Sequence, residues 1–112
     1  MNNRISDGNY IVVFGWMRTK LHLSGSELML YSILYSFTQG SEEHWFKGSH
    51  QFLADWLGVT RRSVINLLNS LLNKNLIIKH ERIENGVRFC DYRTLSVEDQ
   101  IFLSSDGCEN IS

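Results

Sequence analysis

Between Ser49 and Lys74, apolar positions recur at three- and four-residue steps in two runs separated by a glycine. Phe52, Leu53, Trp56 and Leu57 make one face of a short helix. Val64, Leu67, Leu68, Leu71 and Leu72 make the buried stripe of a second. Gly58 stops the first run, because the residue just past a helix commonly takes a positive φ that glycine adopts without steric penalty. Ser49 and Thr60 stand before the two runs with hydroxyls that can accept an orphan amide N–H, which predicts an N-cap at each. Val59 is an apolar plug in the turn, and Ala54 is small where two helices must cross closely. Arg61, Arg62, Asn66, Asn69 and Asn73 fall on the side of the second helix opposite its stripe.

The elements around this pair follow from the same patterning. Residues 1–9 are polar and predict a frayed, flexible N-terminus. Tyr10 to Phe14 is a short apolar run compatible with a strand or the start of a helix. Phe14, Met17 and Leu21 step at helical spacing, which predicts a short helix over about 14–21 with Trp16 in the core or on a contact surface. Ser24-Gly25-Ser26-Glu27 has the form of a capping box and announces a helix running to about Gln39 and ending at Gly40. That helix is apolar nearly all round, with Leu28, Met29, Leu30, Tyr31, Ile33, Leu34, Tyr35 and Phe37 broken only by Ser32 and Ser36. Such a helix must be covered on several sides. It is either the central core helix or, over residues 25–39, a contact between two copies of the chain. Ser41 to Glu43 reads as a solvated turn and His44 to Lys47 as a short strand, broken by Gly48.

After Asn75 the period changes. Leu76 to Ile83 and Val87 to Arg93 are two β runs around Asn85-Gly86, the dipeptide preferred in two-residue hairpin loops because both central positions need positive φ. That loop sets Arg82 opposite Phe89 and His80 opposite Asp91. Charges on both faces near the tip suit a ribbon that projects from the body. From residue 95 the composition turns acidic and small. Ser96 to Asp99 suggests one helical turn with Ile101 and Phe102 docking, and residues 104–112 read as linker.

The 112 residues carry a net charge of −1, which on its face argues against a polyanionic partner. The distribution changes that picture: residues 1–46 sum to −1, 47–93 to +4 and 94–112 to −4. Positive charge is concentrated around the helix pair and the hairpin, as the footprint of a nucleic-acid surface should be. Its modest size implies salt-sensitive binding that is not very tight for a single copy. No apolar run reaches the roughly 18 residues a bilayer span needs, and no secretory leader is visible, so the chain reads as cytoplasmic. Cys90 lies in a strand-like run as a small core residue and Cys108 in the polar tail, so neither a disulfide framework nor a zinc site is implied. With no P-loop, H-E-x-x-H or nucleophile elbow and with His22, His44, His50 and His80 scattered, the chain reads as a non-enzyme with no cofactor or small-molecule substrate.

Leu53, Ala54, Leu57, Gly58, Val59, Thr60, Val64 and Leu67 have the spacing of the helix-turn-helix of DNA-binding proteins, which the stretch resembles. An ordinary helical hairpin with a solvated polar face would share part of this pattern. The order helix, helix, short strand, helix, turn, helix, strand, Asn-Gly turn, strand resembles a winged helix-turn-helix, mainly α with a small hairpin wing, over about residues 10–94. Gly15-Trp16-Met17, Leu23 to Leu28, Tyr31 to Gly40, Lys47-Gly48-Ser49, Thr60 to Val64 and Glu84 to Phe89 are similar to the N-terminal domains of phage- and plasmid-type replication initiators, replisome organisers among them. That likeness implies an origin-binding domain, with 95–112 as an acidic tail or linker toward a missing C-terminal region. Transcriptional regulators and protein–protein modules use the same fold.

On the DNA-binding reading, the second motif helix enters the major groove of duplex DNA. Arg61 and Arg62 in its first turn lie nearest bases and phosphates, and Thr60 sits beside a helix N-terminus suited to a phosphate. Ser63 reaches a phosphate or base, and Asn66 suits an adenine edge. Ser49 and Gln51 hold the backbone from the first motif helix, while Arg82, Asn85 and Arg88 on the wing meet a flanking phosphate or the minor groove.

Overall fold

Burying the apolar circumference of one helix organises the domain. A computed structural model describes residues 7–38 and 44–95 of the chain. Expectations for 1–6, 39–43 and 96–112, including the helix end at Gly40, the turn at Ser41 to Glu43, Cys108 and the tail, lie outside the described residues. The described elements are α1 (Gly15–Thr19), α2 (Gly25–Thr38), α3 (His50–Leu57), α4 (Arg61–Asn73), β1 (Ile77–Glu84) and β2 (Val87–Thr94). Together they make a mainly helical winged helix-turn-helix. Among the described residues no helix is long and apolar enough to cross a membrane.

α2 is the central helix. It packs against α1, α3, α4 and β2, so a single chain covers most of its greasy surface and leaves Met29 and Phe37 exposed. Its buried polar groups are satisfied along the helix: Ser32 Oγ donates to the Leu28 carbonyl at 2.8 Å and Thr38 Oγ1 to that of Leu34 at 3.0 Å. These bonds remove the desolvation penalty that would otherwise count against hydroxyls in a core.

Two predicted elements are shorter than expected. α1 spans Gly15–Thr19 instead of 14–21, since Phe14 is in extended backbone and offers no capping oxygen, while His22 at φ 60° turns the chain away. Tyr10 to Phe14 forms neither helix nor strand. Phe14 still packs with Trp16 and Tyr35, at centroid separations of 6.0 and 5.6 Å, in an aromatic cluster that half-buries Trp16. The His44–Lys47 strand reduces to one antiparallel bridge, where Phe46 N–H donates to the Tyr92 carbonyl at 2.6 Å and Tyr92 N–H to that of Phe46 at 3.1 Å. Phe46 is buried there, while Trp45 turns to the hairpin's outer face against His80 and Arg93.

The hairpin has the predicted register, with Arg82 opposite Phe89 and His80 opposite Asp91. Asn85 at φ 53° and Gly86 at φ 80° supply the two positive angles that match a tight loop to the twist of its strands. The base of the hairpin is buried at Ile77, Tyr92 and Thr94, and its tip stands in solvent with Ile83 72% exposed. Thr94 Oγ1 lies 2.9 Å from Thr38 Oγ1 in a buried pair that fastens β2 to the end of α2. Cys90 is half-buried against the core as a free thiol.

The turn between α3 and α4 runs through Gly58 at φ 68°, ψ 34°, whose N–H closes α3 by donating to the Ala54 carbonyl at 2.8 Å. An added Cβ would meet nothing within 4 Å, so the constraint on this position is the backbone angle alone. Gly58→Ala should therefore destabilise the domain by about 1 kcal/mol, and Gly58→Asn by less, because asparagine tolerates the left-handed region. Urea denaturation of the two variants checks both the size and the order.

Candidate nucleic-acid interface

Which side of α4 faces water follows from its stripe. Val64, Leu68 and Leu71 are buried and Leu67 and Leu72 half-buried against the core, which leaves Arg61, Arg62, Asn66, Asn69 and Asn73 exposed. Thr60 starts the helix in extended backbone. Its Oγ1 accepts the Ser63 N–H at 3.1 Å and donates to Ser63 Oγ at 3.1 Å. Thr60, Arg61, Arg62, Ser63 and Asn66 thus share the first turns of one helix. Ile65, between the two faces, is also exposed.

The far end of α4 is pinned. Ser70 Oγ donates to Glu27 Oε2 at 2.6 Å, and Lys74 Nζ to Glu27 Oε1 at 2.7 Å. Burial pushes the Glu27 carboxyl up, but the bonds from Lys74 and Ser70 and the Lys74 charge together bring it below the ordinary carboxylate range. The Glu27 half of the box expected at Ser24 to Glu27 is therefore not made: α2 starts there, but Glu27 turns both oxygens across to α4. Lys74 is also the C-cap of α4, where a cation suits the negative end of the helix.

At the start of α3, Ser49 Oγ accepts the Phe52 N–H at 3.0 Å as predicted, and Gln51 Nε2 donates to Asp55 Oδ1 at 2.8 Å. Between them His50 is half-buried, with Nε2 3.3 Å from the Tyr92 hydroxyl. Burial first, then the charges of Arg61 and Lys79, lower the His50 pKa. Burial pushes Tyr92 up to about 12, helped by Cys90 and Glu81, so its hydroxyl is neutral across the working range. Nothing in the spacing of the sequence marks either residue as part of a site. Only the fold joins them, across 42 positions of chain.

The wing is largely self-neutralised. Arg82 donates through Nε to Asp91 Oδ2 at 2.8 Å, pairs with Glu84 at 2.6 Å, and lies 4.8 Å over the Phe89 ring. This expected DNA contact is thus engaged within the hairpin. Arg88 is more open but has Glu81 at 3.5 Å, which also pairs with Lys79 at 3.3 Å. Asn85 is exposed in the turn. Among the described residues, by contrast, no carboxylate pairs with Lys47, Arg61 or Arg62. Nor, among those residues, do three His, Cys, Asp or Glu side chains gather as a metal site.

Residues 21–77 match a family model described as a helix-turn-helix domain. No curated protein matches the sequence. Of solved structures, a "possible transcriptional regulator" from Methanosarcina mazei Go1 is similar over 92% of this chain and 88% of its own, with 14% identity and a TM-score of 0.61. The N-terminal domain of a DNA binding protein is similar over 100% of this chain and 98% of its own, with 16% identity and a TM-score of 0.54. At these identities the likeness concerns the fold.

Two outcomes test this geometry. Glu27→Ala should destabilise the domain by roughly 0.5–1.5 kcal/mol, and a double-mutant cycle with Ser70→Ala should give a coupling of similar size. His50 has a lowered pKa in the fold, so on acidification the unfolded chain takes the proton first. Stability present above the ordinary histidine value should fall as pH drops through the folded value, and His50→Gln should flatten that part of the thermal-melting profile.

Proposed function

The chain belongs to the helix-turn-helix domain family, and from that premise we propose that it binds double-stranded DNA sequence-specifically, with α4 in the major groove. One observation carries the reading. Arg62 and Asn66 stand exposed one turn apart on the side of α4 opposite its buried stripe, Arg61 is exposed at the start of the helix, and neither arginine is paired by any described carboxylate. Arginine and asparagine match the edges of guanine and adenine in the major groove.

In this reading Arg62 and Asn66 contact bases, and Arg61, Thr60 and Ser63 hold phosphate at the start of α4. Ser49 and Gln51 bear on the backbone from α3. On the wing, Arg88 and Asn85 reach the flanking duplex, while Arg82 braces Phe89 and Asp91 and contributes less charge. The solved N-terminal domain of a DNA binding protein supports this use of the fold.

For the biological process, the likeness of several segments to replication initiators supports an origin-binding domain from a phage- or plasmid-type initiation protein. A transcriptional regulator is the second reading, favoured by the description of the Methanosarcina mazei neighbour. Selection of duplexes from a random pool at physiological salt separates them. A consensus repeated in tandem within an origin supports initiation, and one lying across promoters supports regulation. Two-fold symmetry in that consensus would report a dimer, to which helix 25–39 could contribute through Met29 and Phe37.

Arg62→Ala should weaken the selected duplex by about 1–3 kcal/mol and relax preference at one position, measured by fluorescence anisotropy against a panel of single-base variants. Unchanged affinity and preference would remove Arg62 from the reading set.

A further inference from the structure

The start of α3, the start of α4 and the base of the wing contribute positive or protonatable groups whose charges act on one another. His50 comes from α3, Arg61 from α4 and Lys79 from β1. Lys79 is the direct cross-strand partner of Tyr92, whose hydroxyl lies 3.3 Å from His50 Nε2. We propose that His50, Arg61 and Lys79 together bind one backbone phosphate of the duplex, and that His50 gains a proton from solvent as that phosphate arrives. The inference rests on the duplex-binding reading above and adds to it a specific site and a proton.

The groups facing His50 account for both states. In the free protein burial of the ring, and then the charges of Arg61 and Lys79, disfavour its protonated form. The hairpin also brings Tyr92, with Cys90 and Glu81 around it; on α3, Asp55 is held by Gln51. An anion entering among the three offsets the two cations and pulls the His50 pKa back up against the burial that remains, because an opposite charge nearby favours the imidazolium. Tyr92 accommodates the change. Its hydroxyl can donate to a bare Nε2 or accept from a protonated one, so the 3.3 Å contact suits either state. Lys79 is free to turn to a phosphate, since Glu81 keeps Arg88 as a second partner.

The test is affinity for the selected duplex between pH 5.5 and 8.5 at constant ionic strength, with proton uptake measured by calorimetry in buffers of different ionisation enthalpy. The unaltered protein should take up about one proton or less on binding and tighten on acidification, by roughly tenfold for each unit by which the phosphate lifts His50. His50→Gln should lose that acid-side gain and the proton uptake, whereas His80→Gln should keep both. An equal pH slope in His50→Gln, or no proton uptake by the unaltered protein, overturns the proposal while leaving duplex binding intact. Absence of duplex binding at every pH would instead sink the DNA-binding reading itself. If His50→Gln fails to fold, Lys79→Met decides: its salt-dependence slope should fall by about one counterion, and an unchanged slope overturns the site.

Discussion

A helix of this length at the surface of a small domain can bury only one stripe, and for α4 that stripe is Val64, Leu68 and Leu71, on the side packed against α2 and α3. Everything on the other side is then committed to water or to a partner. The apolar seam thus decides the direction in which Arg62 and Asn66 point, without any contact of their own. Because α2 is apolar nearly all round, it can receive α4 on one flank while α1, α3 and β2 cover others. The Glu27 carboxylate adds what apolar packing lacks, a directional bond to Ser70 and Lys74 that resists rotation of α4 about its own axis.

The distribution of paired and unpaired charge divides the surface into two kinds. On the wing, Arg82, Arg88 and Lys79 each have a carboxylate close by, so the hairpin is held in shape by its own ions. At the start of α4 the guanidinium groups have no such company among the described residues. Exposed ion pairs contribute little to stability. Leaving Arg61 and Arg62 unpaired therefore takes little from the fold and leaves their charge available. The net charge of −1 hides this division completely.

What could be read from the chain was what local chemistry decides. Ser49, Gly58 and Thr60 act within three or four residues of themselves, and their roles as two caps and a turn are the ones expected. Asn85-Gly86 dictates a loop, and the loop dictates every pair along the hairpin, so the register was legible to the residue. The exposed polar side of α4 followed from periodicity alone. Long-range partners could not be read in this way. The His44–Lys47 segment has strand-like residues, but its pairing depends on where Tyr92 arrives, and only Phe46 meets it. Glu27 has the spacing of a local cap, yet a lysine 47 positions away competes for it successfully. Periodicity showed that α2 had to be covered without showing by what. His50 looked like one of four scattered histidines until the sheet set Tyr92 against it.

The root of the wing is fastened to the body by the Phe46–Tyr92 bridge, by the buried hydroxyl pair of Thr38 and Thr94 and by Ile77 and Tyr92 in the core. With its root held on two sides, the ribbon keeps a set spacing from α4, like the jaws of a caliper. If α4 and the wing both meet a duplex as proposed, a site whose groove mismatches that spacing must bend to fit, so shape and pliancy would count in selection beside the bases themselves.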